Sequence, residues 1–139
     1  MSTPMADDAH ILLVEPETLL RRTVAMTARS LAIAQVHEAA GTEIALRMLR
    51  ARAFQGAVIA VDCTVSAGRR CYDLTLIDRM RASEPAGARP MPIAIMTGEA
   101  SPELLGALRD RRISRVILKP FRAKVLLETI ANFGTARND

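Results

Sequence analysis

Apolar and polar residues follow two rhythms along this chain. Continuously apolar runs, Ile11-Leu12-Leu13-Val14, Val58-Ile59-Ala60-Val61, Ile93-Ala94-Ile95-Met96 and Val116-Ile117-Leu118, are separated by stretches where apolar residues recur every three or four positions. The first rhythm predicts strands and the second amphipathic helices, and their alternation is the signature of an α/β fold. Strands are expected at 10–14, 35–39, 58–61, 93–96 and 115–118. The apolar runs lack alternating polar residues, which fits strands covered on both faces, as in a parallel sheet.

Between them the pattern predicts five helices. One starts near Thr18, with Leu20, Val24, Ala28 and Leu31 on one face; a second is capped by Thr42 and turns Ala45, Leu46 and Leu49 inward. A third spans 72–82 with Leu74, Ile77 and Met80 inward, after a loop through Ala67-Gly68. Ser101-Pro102-Glu103 opens the fourth with an N-cap, a proline at the first position and an acid at the positive end of the dipole. The fifth covers 123–133, with Leu126, Ile130 and Phe133 facing in. Right-handed crossovers turn such an order into a doubly wound sheet, whose ligands bind beyond the carboxyl ends of the strands. The four apolar runs stop there on Glu15, Asp62, Thr97 and Lys119. Two carboxylates, a hydroxyl and an ammonium form a set suited to handling a phosphoryl group.

Composition narrows the picture. A chain of 139 residues fits one domain, and with 50% apolar but only 3% aromatic residues its core must be aliphatic. Cys63 and Cys71 make no disulfide framework, and no Cys/His spacing resembles a zinc site. Residues 1–10 lack the apolar core of a secretory leader, and no apolar stretch approaches the roughly 20 residues of a membrane span. A soluble, cytoplasmic protein with reduced thiols is expected. The net charge of +4 is carried almost wholly by arginine, with Arg109, Arg111, Arg112 and Arg115 clustered. No aromatic residues interleave to stack bases, which argues against nucleic-acid binding. His10 and His37, both strand residues, are not placed as general bases, so an enzyme is not expected; a flavin domain would need aromatic residues this chain lacks.

At this level the chain resembles the receiver domain of bacterial two-component response regulators, the chemotaxis-regulator type. The resemblance rests on the run ending in Glu15, on Asp62, on Thr97-Gly98 and on Lys119-Pro120-Phe121, in that order and at receiver-like separations. It covers residues 10–133, leaving a disordered tail at 1–9 and a short one at 134–139. It implies a flavodoxin-like, five-stranded parallel sheet of order 2-1-3-4-5 with five helices, acting as a stand-alone module in phosphorelay signalling. Asp62 would be the phosphoacceptor, Lys119 the cation on a phosphoryl oxygen, and Thr97 the hydroxyl that reports its arrival. The Lys119-Pro120 bond would be cis, and Thr64 and Glu99 would rim the entrance. The implied cofactor is Mg²⁺, held by Asp62, Glu15 and the Thr64 backbone carbonyl. Implied partners are a histidine kinase or histidine phosphotransfer protein and a downstream protein, with a second copy of the chain as a further candidate. Output is expected at a face carrying Arg109, Arg112, Arg115 and Arg122.

The sequence also departs from the receiver pattern. Receivers carry two adjacent acids after the first strand, and the second binds the metal; here the pair is Glu15-Pro16, and proline offers neither side-chain oxygen nor N–H. The connection after Asp62 is longer by about three residues, judged by the turn signals that bound such connections. Val116 stands where many receivers place a rotating aromatic ring. Two versions follow: a receiver phosphorylated on Asp62 with a reduced metal site, or a pseudo-receiver interaction module with little or no Mg²⁺-dependent phosphorylation.

Overall fold

The apolar runs at 11–14, 58–61 and 93–96 are buried on both sides, and that at 116–118 on one, in the computed structural model, which describes residues 9–113 and 115–136. Of the tails expected at 1–9 and 134–139, residues 1–8 and 137–139 lie outside the described residues, and 134–136 continue the last helix. Chain order is β1 (His10–Val14), α1 (Thr18–Ser30), β2 (Gln35–Ala39), α2 (Thr42–Ala51), β3 (Gly56–Ala60), β4 (Cys63–Ser66) and β5 (Arg69–Tyr72). It continues with α3 (Thr75–Ala82), β6 (Ile93–Thr97), α4 (Pro102–Asp110), β7 (Arg115–Leu118) and α5 (Ala123–Ala136). Five strands form a parallel sheet of order β2-β1-β3-β6-β7, and β4 and β5 form a separate antiparallel pair. Skipping that pair, the order is the expected 2-1-3-4-5.

Successive side chains on a strand point to opposite faces, so each strand feeds two cores. Leu12, Val14, Ala57, Ile59, Ile93 and Ile95 pack with Ala45 of α2, Ile77 of α3 and Leu104 and Leu108 of α4. Ile11, Leu13, Val58, Ala94 and Met96 pack with Val24 and Ala28 of α1 and Leu126, Ile130 and Phe133 of α5. Two helices therefore cover one face and three the other. Phe133 lies directly on the start of β3, where a Cβ on Gly56 would sit 2.7 Å from its ring.

Several boundaries differ from expectation, each for a local reason. Leu31 is 60% exposed because α1 ends at Ser30, and Ala25 fills the buried position instead. Gly41, not Thr42, is the N-cap of α2, and Thr42 is already helical. Helix α3 starts at Thr75 rather than 72, because residues 69–72 are taken up by β5 and the Asp73 carboxylate accepts the Thr75 N–H at 3.0 Å. Ser101 caps α4 as expected, accepting from the Leu104 N–H at 3.1 Å.

The largest departure is the segment after Asp62, expected as a loop. It is a hairpin whose register pairs Cys63 with Tyr72, Thr64 with Cys71, Val65 with Arg70 and Ser66 with Arg69. Ala67 and Gly68 turn the chain with φ of 54° and 75°, the two positive values a two-residue type I′ hairpin requires. Alanine rarely adopts that conformation, which is why Ala-Gly carries no strong hairpin signal.

At the opposite end of the sheet from residue 62, two imidazoles meet a guanidinium. His37 Nε2 lies 2.9 Å from His10 Nδ1 and 3.2 Å from Arg52 Nη1, while Arg52 Nη2 lies 3.2 Å from His10 Nε2. Arginine can only donate, so both imidazole nitrogens facing it must be bare, and His10 Nδ1–H donates to His37. The contact with Arg52 closes only with the His37 ring neutral. Burial, then the charge of Arg52, the neighbouring His10 and Arg29, hold the His37 pKa below its ordinary 6.5.

A base with a lowered folded pKa binds fewer protons folded than unfolded, so its stabilising share is complete above about pH 6.5 and is lost as pH falls below it. The thermal midpoint should fall between about pH 7.5 and 5.5, and His37→Gln should flatten that fall. Equal slopes in the two proteins would contradict the account. Gly56→Ala should cost about 1–3 kcal/mol through overpacking against Phe133, read as a lower urea midpoint at unchanged slope.

Candidate functional site

The carboxyl ends of β1, β3, β6 and β7 bring the four expected residues to one edge of the sheet. Glu15 follows β1 directly and is 1% exposed. Its backbone N–H extends the β1–β2 ladder to the Ala39 carbonyl at 3.0 Å, and its own carbonyl accepts from Arg21 Nη1 at 2.9 Å. Its carboxylate is engaged differently at its two oxygens: buried Oε1 makes no hydrogen bond but forms an ion pair 2.7 Å from Lys119 Nζ, and Oε2 accepts the Glu17 N–H at 3.0 Å. Glu17 thus contributes its backbone here; its side chain makes no cap to α1.

Asp62 lies two residues beyond β3, after Val61 has donated its N–H to the Met96 carbonyl at 2.8 Å. Its side chain is 52% exposed, and Oδ1 lies 3.8 Å from the same Lys119 Nζ. Lys119 itself is positioned by its N–H, which donates to the Thr97 carbonyl at 2.8 Å, and by the cis peptide bond to Pro120. One ammonium therefore sits between a buried and an exposed carboxylate. Thr97 is fully buried; its hydroxyl donates to the Glu99 carbonyl at 3.2 Å and lies 3.4 Å from the Glu99 N. Gly98, next to it, is exposed and leaves the approach open.

Beside Asp62 a cavity of about 130 Å³ is lined by Pro16, Thr42, Asp62 and Asp73, with Val14, Ile59 and Leu76 behind. Asp73 escaped the sequence reading because only the hairpin carries it back beside Asp62. Its carboxylate is engaged with Thr75, whose hydrogen bonds lower its pKa. Thr64 sits on β4, exposed, its hydroxyl donating to the Cys71 carbonyl at 3.3 Å. Glu99 is paired with Arg70 of β5, a contact the sequence reading also missed, since the two are 29 residues apart.

Magnesium needs near-octahedral oxygen ligation, usually with one or two carboxylates. Here Glu15 is turned to Lys119 and Glu17, Pro16 has no oxygen on its side chain, and Asp73 is turned to Thr75. No three His, Cys, Asp or Glu side chains converge to hold a metal among the described residues. The donors present fall short of the magnesium cage.

With this geometry in hand, solved structures offer a direct comparison. The chemotaxis response regulator CheY4 of Vibrio cholerae superposes with a TM-score of 0.71 at 24% identity, over 90% of this chain and 98% of its own. A CheY-like receiver domain protein from Methanospirillum hungatei gives 0.73 at 20% identity, over 94% and 96%. The signal receiver domain of an HD domain-containing protein from Pseudomonas fluorescens also gives 0.73 at 20%, over 94% and 97%. This is the receiver fold. No family model matches the sequence, and no curated protein does.

Of the expected arginine face, Arg112 keeps 54% of its side chain exposed. Arg112 turns to Glu84 behind α3 at 3.3 Å, while Arg115 and Arg122 stay together beside Leu118, Phe121 and Val125 at the β7 edge. No helix among the described residues is long and apolar enough to cross a membrane.

Removing the Lys119 ammonium leaves the Glu15 carboxylate buried and unpaired, so Lys119→Met should cost about 3–5 kcal/mol in denaturant unfolding. Asp62→Asn, at an exposed position, should stay within about 0.5 kcal/mol of the parent. A Lys119→Met protein as stable as the parent would refute the pairing.

Proposed function

We propose that the chain is a phosphoacceptor receiver module in two-component signalling, with Asp62 as the acceptor. The observation that carries this reading is the single ammonium of Lys119, 2.7 Å from buried Glu15 and 3.8 Å from exposed Asp62. Glu15 fixes the cation; Asp62 remains open to a large donor. The donor class is a phosphohistidine on a histidine kinase or phosphotransfer protein, which places the module in the cytoplasm. An Asp62 carboxylate oxygen forms the new P–O bond as the P–N bond breaks. The imidazole leaves with the bonding pair and takes up a proton from solvent. Lys119 offers a compact cation to the transferred group, and Thr97 turns its hydroxyl from the Glu99 carbonyl to a phosphoryl oxygen. Signal then leaves by protein contact. Val116, half-buried in β7, has no ring to rotate, so the relay runs through the Thr97–Glu99 connection.

The second reading, a pseudo-receiver, is favoured by the commitment of both Glu15 oxygens and by Pro16. Intact mass separates the two. With a small acyl-phosphate donor, the parent should gain one acid-stable, base-labile phosphoryl group that Asp62→Asn abolishes. Absence of the gain with and without Mg²⁺, and again in Pro16→Asp, would leave the pseudo-receiver reading standing.

A further inference from the structure

The β4–β5 hairpin makes two contacts that serve neither its own pairing nor the parallel sheet. Arg70 pairs with Glu99, and the Tyr72 hydroxyl lies 2.9 Å from Ser101 Oγ. Both contacts end on the connection between β6 and α4, and Glu99 is bound back to Thr97 through its carbonyl and its N–H. Guanidinium, carboxylate and hydroxyl thus form a chain from the hairpin to the site. The hairpin itself grows directly out of Asp62, since β4 begins at Cys63.

Charge makes this chain consequential. A phosphoryl group on Asp62 carries close to two negative charges, beside Glu15 and Asp73, which line the same strand ends. Lys119 is the one cation in contact with Asp62 among the described residues, and it already neutralises Glu15. A second cation is needed, and the carboxylates present do not assemble one as a metal. Arg70 holds its Glu99 partner at an exposed surface, with 59% and 46% of the two side chains open to water, where ion pairs are weak. A phosphoryl group, with its three oxygens and double charge, is the better partner for a planar fork of donors.

We propose that Arg70 leaves Glu99 for the phosphoryl group on Asp62, so that a guanidinium from the hairpin supplies the charge that a magnesium-binding acid pair would otherwise recruit. This rests on Asp62 being phosphorylated. Glu99 is then a competitor for the guanidinium and Arg70 a partner of the phosphoryl group, so their removal acts in opposite directions. If the pair merely fastened the hairpin, both removals would act alike.

The test uses the full chain and a small acyl-phosphate donor, with labelling rates followed by intact mass in the presence of a chelator. The parent should label under these conditions. Arg70→Ala should slow labelling about tenfold or more, the loss expected for a charge-assisted hydrogen bond, with Arg70→Lys in between. Glu99→Gln should speed it. Arg70→Ala combined with Pro16→Asp should label only when Mg²⁺ is added, a metal response that a structural role would not move. An Arg70→Ala rate equal to the parent's, or Arg70→Ala and Glu99→Gln shifting together, overturns the inference while leaving Asp62 as acceptor. No label on any variant, with or without Mg²⁺, overturns the acceptor reading and this inference with it.

Discussion

A carboxylate buried at the end of a parallel sheet must be neutralised, and the edge of this molecule is arranged around that requirement. Glu15 is inaccessible because β1 runs through the middle of the sheet, covered on both faces. Isolated in such surroundings, the ion would be strongly destabilising. Lys119 answers it from β7, across the full width of β3 and β6, and in doing so is held beside Asp62. The pair that satisfies burial is therefore also the device that aims a cation. The Lys119 backbone N–H, bound to Thr97, ties the same residue to the fourth strand end.

Most of this was legible in the sequence because it depends on period. Continuously apolar runs of three or four residues favour strands of a parallel sheet, and the position where each run stops is read without any knowledge of packing. Glu15, Asp62, Thr97 and Lys119 are thus marked as one set by the ends of the runs alone. Ser101 was readable for a similar reason, since an N-cap followed by proline and an acid is a purely local signal.

What escaped depends on contacts distant in sequence. The hairpin is built from four-residue strands carrying arginine and cysteine, with an Ala-Gly turn in which only the second residue is suited to positive φ. Nothing local distinguishes that from a loop. Arg70 with Glu99, and Asp73 beside Asp62, follow only once the hairpin exists. The partners of the arginines at 109–115 are likewise beyond the reach of any local pattern. Arg111 reaches Asp78 at 2.6 Å and Arg112 reaches Glu84 at 3.3 Å, surface pairs that link the end of α4 to α3 and the turn after it.

The hairpin register has a redox consequence. Cys63 stands opposite Tyr72 and Cys71 opposite Thr64, so the two thiols project from opposite sides of the two-stranded ribbon. A disulfide between them would require their Cβ atoms to face each other, which this pairing forbids. Oxidation within one chain therefore has no means of welding the ribbon shut, and its attachment to the rest of the molecule is left to reversible contacts, the packing of Tyr72 on the core among them.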